Sequence, residues 1–261
     1  MNLRVEYFID TLNSLLYTPT FSYQESESNS LDTSTTYSLV GVKKYISLTS
    51  ISDRINERTS FNMNNNLMYR RSFHKRGRTF TLGITSQLSN GDNTSNTLSN
   101  DEYLREDGTI QRNIYQNQQS LQNSKTDNRT VSTSYTEPIG LNKILELNYA
   151  FTKNKSISDR EAYNYNTSSG KFDQANEALT NDFNNTTTLQ RYGFNFRVQN
   201  PKYNYQLGLS VQQATLENES YFASRGKQLI KRDYTNFFPT ANFNYTPKRG
   251  TNLRISYNVR T

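Results

Sequence analysis

Between residues 133 and 151 the chain reads TSYTEPIGLNKILELNYAF, and its apolar side chains fall on every second position. Val131, Thr133 and Tyr135 form one run and Leu145, Leu147, Tyr149 and Phe151 a second, joined by a linker containing Pro138, Gly140 and Asn142. A period of two sends successive side chains to opposite faces of a strand, whereas an amphipathic helix repeats its apolar positions every three or four residues. The segment therefore predicts a β-hairpin. Glu146, Asn148 and Ala150 alternate with the apolar set, so the second strand has one greasy face and one wet face. What the greasy face meets decides the fold.

The same alternation recurs in about ten strands. Ahead of the hairpin lie Leu3/Val5/Tyr7/Ile9, Leu15/Tyr17/Pro19/Phe21/Tyr23, Phe61/Met63/Leu67/Tyr69 interrupted by Asn65, and Phe80/Leu82/Ile84/Leu88. After it come Tyr192/Phe194/Phe196/Val198, Tyr203/Tyr205/Leu207/Leu209/Val211, Phe237/Pro239/Ala241/Phe243/Tyr245 and Leu253/Ile255/Tyr257/Val259. The intervening positions are polar or small, as in Thr81 and Gly83, Asn195 and Arg197, or Arg254, Ser256 and Asn258.

Connections of a few residues join the strands in pairs, at 10–13, 74–77, 200–202 and 247–250 as well as in the opening hairpin. Between pairs lie long polar tracts at 25–58, 90–129, 153–184 and 217–233. In an antiparallel meander alternate connections share an end, so the short turns fall on one side and long polar loops are expected on the other, as in outer-membrane barrels. Tyr69, Tyr135, Tyr203 and Tyr245 lie near the short turns, and Phe21, Phe61, Tyr149, Tyr192, Phe237 and Tyr257 toward the far ends. Two aromatic rows around an aliphatic band suit lipid interfaces. A soluble β-sandwich also has apolar inner faces, but such long excursions between strand pairs do not suit a compact domain. The expected fold is thus all-β, an antiparallel up-and-down meander of long strands forming part of a transmembrane β-barrel, as a curved open sheet or incomplete barrel.

Composition supports that fold and removes other classes. Only 33% of the residues are hydrophobic and the mean hydropathy is -0.89, values that alone suit disorder, yet 19 Tyr and 14 Phe with regular alternation do not. The net charge of +7 is scattered or confined to short turns, without a nucleic-acid-binding motif, so no nucleic-acid partner is expected. The chain has no Cys, hence neither disulfides nor thiolate metal sites. No run of about 18 apolar residues offers a transmembrane helix. Glu6 and Asp10 interrupt the start of the chain, so no signal peptide is expected there, and the chain is expected to be cytoplasmic or to have lost its beginning.

Three stretches, SYTEPIGLNKILELNYAFTKNKSISDREAYNY, YGFNFRVQNPKYNYQLGLSVQQATLE and NFFPTANFNYTPKRGTNLRISYNVRT, resemble the barrel of the TonB-dependent-receptor-like outer-membrane proteins of Bacteroidota. The resemblance runs from about Asn62 onward and is weaker before it. It implies a large antiparallel barrel of about 22 strands, preceded in the typical receptor by a signal peptide and a plug domain. Neither plug nor signal peptide is visible, so residues 1–261 are expected to be a partial outer-membrane barrel domain, an internal fragment whose partners are outer-membrane lipid, the remainder of the barrel, a plug and, through the plug, TonB.

On this reading Leu145, Leu147, Phe151, Phe194, Phe196, Leu207, Leu209 and Ile255 face lipid. Glu146, Asn148, Arg197, Gln206, Arg254 and Arg260 face the lumen, where Arg197, Arg254 and Arg260 either tune selectivity or meet a plug, or are simply solvated wall charges. Gly83, Gly193 and Gly208 fall on the inward face, where glycine admits bending or close approach. No catalytic, metal or cofactor site is expected. His74, the one histidine, has no carboxylate in its local sequence, and the acidic pairs at Asp101/Glu102, Glu106/Asp107 and Asp159/Glu161 lack the spacing of a calcium loop. The expected function is the wall of an outer-membrane transport barrel, of a TonB-dependent receptor importing an unidentified solute in the Gram-negative outer membrane. The alternative is a secreted or surface β-rich adhesin displaying long polar loops, and an enzyme built on a smaller barrel is a third class that lacks its residue cluster.

Overall fold

The computed structural model describes residues 1–222, 226–248 and 250–259. Eleven strands make one antiparallel sheet: β1 (Val5–Phe8), β2 (Asn13–Val40), β3 (Lys43–Ser72), β4 (Thr79–Leu104), β5 (Ile110–Gly140), β6 (Lys143–Asn166), β7 (Lys171–Ala175), β8 (Asn181–Gln199), β9 (Tyr203–Phe222), β10 (Gly226–Lys248) and β11 (Thr251–Asn258). Each pairs with its neighbour in sequence, except that the short β7 pairs only with β6, which also pairs with β8. The meander is as the alternation predicts, with β7 added inside the tract at 153–184. β1 and β11 are the sheet's edges, and among the described residues no ladder joins them.

The polar tracts at 25–58 and 90–129 are not loops. Residues 25–58 belong almost entirely to β2 and β3, paired residue by residue from Asn13↔Arg71 to Val40↔Lys43 with only Gly41 and Val42 in the turn. Residues 90–129 similarly belong to β4 and β5, closed by a turn in which the Arg105 amide donates to the Thr109 carbonyl (2.9 Å) and the Thr109 amide to Asp107 Oδ1 (2.9 Å). Positive φ at Gly41 (62°) and Gly108 (82°) lets these tips reverse in so few residues. Loops were expected because both faces of the arms are polar, and strand pairing needs only backbone donors and acceptors. With 31 residues, β5 extends for about 100 Å, and short turns lie at both ends of the sheet.

The apolar band occupies only the short-turn end of these strands. It runs for nine residues over Leu15–Tyr23, Phe61–Tyr69, Phe80–Leu88, Tyr203–Val211 and Phe237–Tyr245, which matches the 9–11 that a tilted strand needs to cross a membrane, and is shorter over Val131–Tyr135, Leu145–Phe151 and Tyr192–Val198. One row of directly paired residues runs Leu15, Tyr69, Leu82, Thr133, Tyr149, Tyr192, Val211, Phe237. It begins at the short-turn edge of the band and ends at the far edge, sliding about one residue per strand. With about 3.4 Å per residue and 4.8 Å between strands, that slide is a strand tilt of about 35°, the value that barrel closure imposes.

Burial shows which face is concave. Leu16, Ser99, Ala162, Ala214, Ser220 and Phe238 are buried, and all lie on the polar face; Val198, beside a turn, is the exception. Along β6 every exposed residue is odd-numbered, on the side of Leu147, while Glu146, Asn148 and the other even positions are half-buried or buried. The polar face is therefore inside the curve and the apolar face outside. Among the described residues no large side chain is fully buried. The accessible surface of 17910 Å² compares with about 12,000 Å² for a compact monomer of this mass. A single sheet with its greasy side outward has no core to pack, and is stable where the outer solvent is itself apolar.

Candidate functional site

Antiparallel partners place their side chains on the same face, so the registers locate each candidate residue. On the convex face Leu145 lies opposite Phe196, Leu147 opposite Phe194 and Phe151 opposite Gln190; Phe194 and Phe196 then meet Leu209 and Leu207, and Phe243 lies opposite Ile255. All eight residues expected to face lipid share this surface, and Leu147, Phe194, Leu207, Leu209 and Ile255 are 46–58% exposed.

Asn65, the polar residue within the band of β3, is answered locally. The Tyr17 hydroxyl donates to its Oδ1 at 2.8 Å. Other tyrosine hydroxyls point away from the band: Tyr69 to Asn13 Oδ1 (2.6 Å) and Tyr135 to Glu137 Oε2 (2.7 Å) on the short-turn side, Tyr192 to Gln190 Oε1 (2.9 Å) on the other. A ring in the apolar layer with its hydroxyl beyond it is the arrangement of a lipid interface.

On the concave face Arg197 lies opposite Gln206, Gln206 opposite Asn242, and Asn244 opposite Arg254. Arg197 Nη2 donates to Gln206 Oε1 (3.2 Å), and Gln206 Nε2 to Asn195 Oδ1 (3.4 Å). Arg197, Gln206, Asn242, Asn244, Arg254 and Ser256 line an open cavity of about 420 Å³ near the short turns. Glu146, opposite Asn195, and Asn148, opposite Gly193, continue the same wall, and Asn148 Nδ2 donates to Glu146 Oε1 at 3.5 Å. Of the lumen candidates Arg260 lies outside the described residues. The arrangement is a hydrogen-bonded amide surface carrying two guanidinium groups, suited to hold water or a polar solute at its edge.

The inward glycines have a specific role in this surface. A Cβ on Gly193 would run into the Asn148 amide, one on Gly208 into Asn195 and the Thr240 hydroxyl, and one on Gly83 would lie 2.9 Å from Ser132 Oγ. Glycine lets the opposite polar side chain lie flat across the sheet, which keeps the concave wall shallow.

The ionic cluster at the short-turn rim was not expected. Glu137 lies on the convex face two residues beyond Tyr135, outside the apolar band. It accepts from Arg78 Nε (2.6 Å) and Nη2 (2.8 Å), Lys75 Nζ (2.6 Å) and Tyr135. Hydrogen bonds from Arg78, then Lys75, then Tyr135 hold its carboxyl far below the ordinary value. The Arg71 and Arg78 guanidiniums lie over the Phe73 ring, which meets Tyr135 edge-on. His74 stays exposed in this turn. The available signal was the pairing of a basic turn with a Glu-Pro step in the next hairpin, 59 and 62 residues away from Arg78 and Lys75.

An open, tilted sheet with an apolar convex face, aromatic borders and a polar concave face is the wall of an outer-membrane β-barrel. Residues 71–261 match the outer membrane protein beta-barrel family, and the chain belongs to that family and to the outer membrane that its members occupy. Among solved structures it is similar to the unliganded ferric citrate transporter FecA (TM-score 0.42, 11% identity, 95% of this chain and 42% of that one). It is likewise similar to the siderophore receptor PiuA from Acinetobacter baumannii (0.42, 11%, 98% and 46%) and the ferric yersiniabactin uptake receptor FyuA from Yersinia pestis (0.36, 6%, 95% and 43%). The chain spans less than half the length of each. No curated protein matches it.

Proposed function

We propose that the chain is a wall segment of an outer-membrane transport barrel, of the TonB-dependent type seen in the Bacteroidota proteins that its sequence resembles, through which a solute is imported. The observation that supports this reading is the inversion of the faces: Leu145, Leu147, Phe151, Phe194, Phe196, Leu207, Leu209 and Ile255 lie on the convex face, while Glu146, Asn148, Arg197, Gln206 and Arg254 lie on the concave one. Arg197 and Arg254 place fixed positive charge beside that path, which favours anionic groups on the solute or on a plug. The two open edges call for further strands, since unpaired backbone in lipid costs several kcal/mol per group. Energy enters through the plug and TonB, and the wall has no catalytic part.

The test compares solute depletion from a defined medium by wild-type cells, cells lacking the gene and cells lacking TonB. The proposal expects at least one solute whose uptake requires both. Uptake that needs the gene but not TonB would remove the energy coupling. Unchanged uptake of every solute together with lost surface attachment would establish the adhesin alternative instead.

A further inference from the structure

Directly above the apolar band, on the long-hairpin side, the convex face of β5 and β6 turns basic. Arg129 follows Val131 by one step of the alternation and Lys153 follows Phe151 in the same way, about 7 Å along the strand. Arg129 and Lys153 are directly opposite in the ladder, and Lys155 lies next to them opposite Asp127. All three cations are exposed. Asp127 accepts from Arg129 Nε (3.0 Å) and Nη2 (2.8 Å), which fixes the guanidinium plane and leaves Nη1 free.

The placement is specific. Just beyond the band, the same face carries Glu25 on β2, Glu57 on β3, Asp92 on β4, Thr186 and Thr188 on β8, and Thr215 on β9 opposite Asp233 on β10; one step farther out Glu217 on β9 is ion-paired with Lys231 on β10 (2.6 Å). Farther out on β5 and β6, Lys125 sits among Asp92, Asp159 and Glu161, whereas the patch itself holds the single carboxylate of Asp127. Like charges directly opposite each other destabilise a sheet; Asp127 answers Arg129 at 2.8 Å, while Lys153 and Lys155 have no ion-pair partner among the described residues. A cation cluster at the upper edge of a lipid-exposed band is at the depth of the lipid phosphates.

We propose that Arg129, Lys153 and Lys155 bind a phosphate group of an outer-leaflet lipid, with the Asp127 carboxylate as its competitor for Arg129. Cross-strand neighbours on one face lie about 5 Å apart, so one phosphate bridges Arg129 and Lys153 while Lys155 reaches it from the next position. The site fixes the wall's rotation and depth against its lipid. It rests on the outer-membrane placement with the long hairpins outward, and it is independent of TonB-coupled import.

The experiment titrates lipid A, which carries two phosphates, into the full-length gene product in neutral detergent and reads bound lipid by native mass spectrometry. Each cation removed is expected to weaken binding about fivefold, so the Arg129→Gln/Lys153→Gln/Lys155→Gln variant binds on the order of a hundredfold less. Asp127→Asn, which removes the competing carboxylate, is expected to bind about fivefold more tightly, and it keeps the test decisive if the triple variant does not fold. Unchanged affinity in both variants would overturn the site. Equal binding of phosphatidylglycerol would overturn the outer-leaflet assignment, and displacement by millimolar inorganic phosphate would reduce the patch to a simple anion site and overturn the lipid assignment.

Discussion

Replacing Leu207 by Arg tests the direction of the sheet. Leu207 is the middle of the five convex positions between Tyr203 and Val211, paired with Phe196 and Ala241 and 52% exposed. Four residues at about 3.4 Å each, tilted by about 35°, put it about 11 Å from either edge of the band, near the midplane. An arginine on the lipid face there costs about 2–4 kcal/mol, a shift of thirtyfold to almost a thousandfold in the folding equilibrium. The adjacent Gln206→Arg points the other way. It brings a like charge to Arg197, and an aqueous wall screens that repulsion to about 1 kcal/mol or less. The assay is guanidinium unfolding of the full-length gene product in lipid vesicles, followed by far-UV circular dichroism because the chain has no Trp. The larger loss is expected at position 207. If Leu207→Arg costs no more than Gln206→Arg, the convex face meets water and the membrane assignment fails.

Tyr17→Phe leaves the Asn65 amide without its partner within the apolar layer and is expected to cost about 1–2 kcal/mol in the same assay, a loss that Asn65→Leu restores in the double variant. Gly193→Ala forces the Asn148 amide off the sheet and is expected to cost about 1–2 kcal/mol, relieved when Asn148→Ala is added, so that a double-mutant cycle gives a clear coupling. The Glu137 carboxyl is held below its ordinary value near 4.5; its stabilising contribution is therefore complete above that value and is lost as the pH falls from there toward the lower folded value. Glu137→Gln is accordingly expected to lower the unfolding midpoint at neutral pH, with the gap to wild type closing through the acid range; a gap that persists in strong acid would mean that the ion pairs are not its cause.

The strands from Leu15 to Tyr257 were legible because each band segment separates two solvents, and a side chain on the wrong face is penalised at every second position. The arms beyond the band gave no such signal. Ser26, Asn56, Thr94 and Gln122 sit in continuous ladders, but both of their faces meet water, so composition there resembles a loop. The tips left a trace that pattern reading passed over: Asp107-Gly108 is a hairpin-type step, and its carboxylate and positive φ close the β4–β5 arm. The concave residues were legible by parity alone, whereas their hydrogen-bond partners depend on register. Glu137 was invisible for the same reason, since the turn that supplies Lys75 and Arg78 reaches it only after a complete hairpin has formed.

The end of the alternation is itself a structural coordinate. On β5 it falls between Val131 and Arg129, on β6 between Phe151 and Lys153, and on β9 between Val211 and Gln213, each on the convex side. Hydrogen-bonded rows cross this boundary at an angle because the strands are tilted, so neighbouring strands leave the apolar layer at different rungs of the ladder. A charge is tolerated on a given rung of one strand and costly on the same rung of a strand farther round the wall. The row of Arg129 and Lys153 accordingly passes through Ser86 and Asn65 inside the band on β4 and β3, whereas on β8 and β9 it has already left the band at Thr188 and Thr215, and the row holding Leu15 at one side of the wall holds Phe237 at the other. The position of each polar substitution along its own strand, measured from the short turn, sets its cost, and the ladder position alone does not.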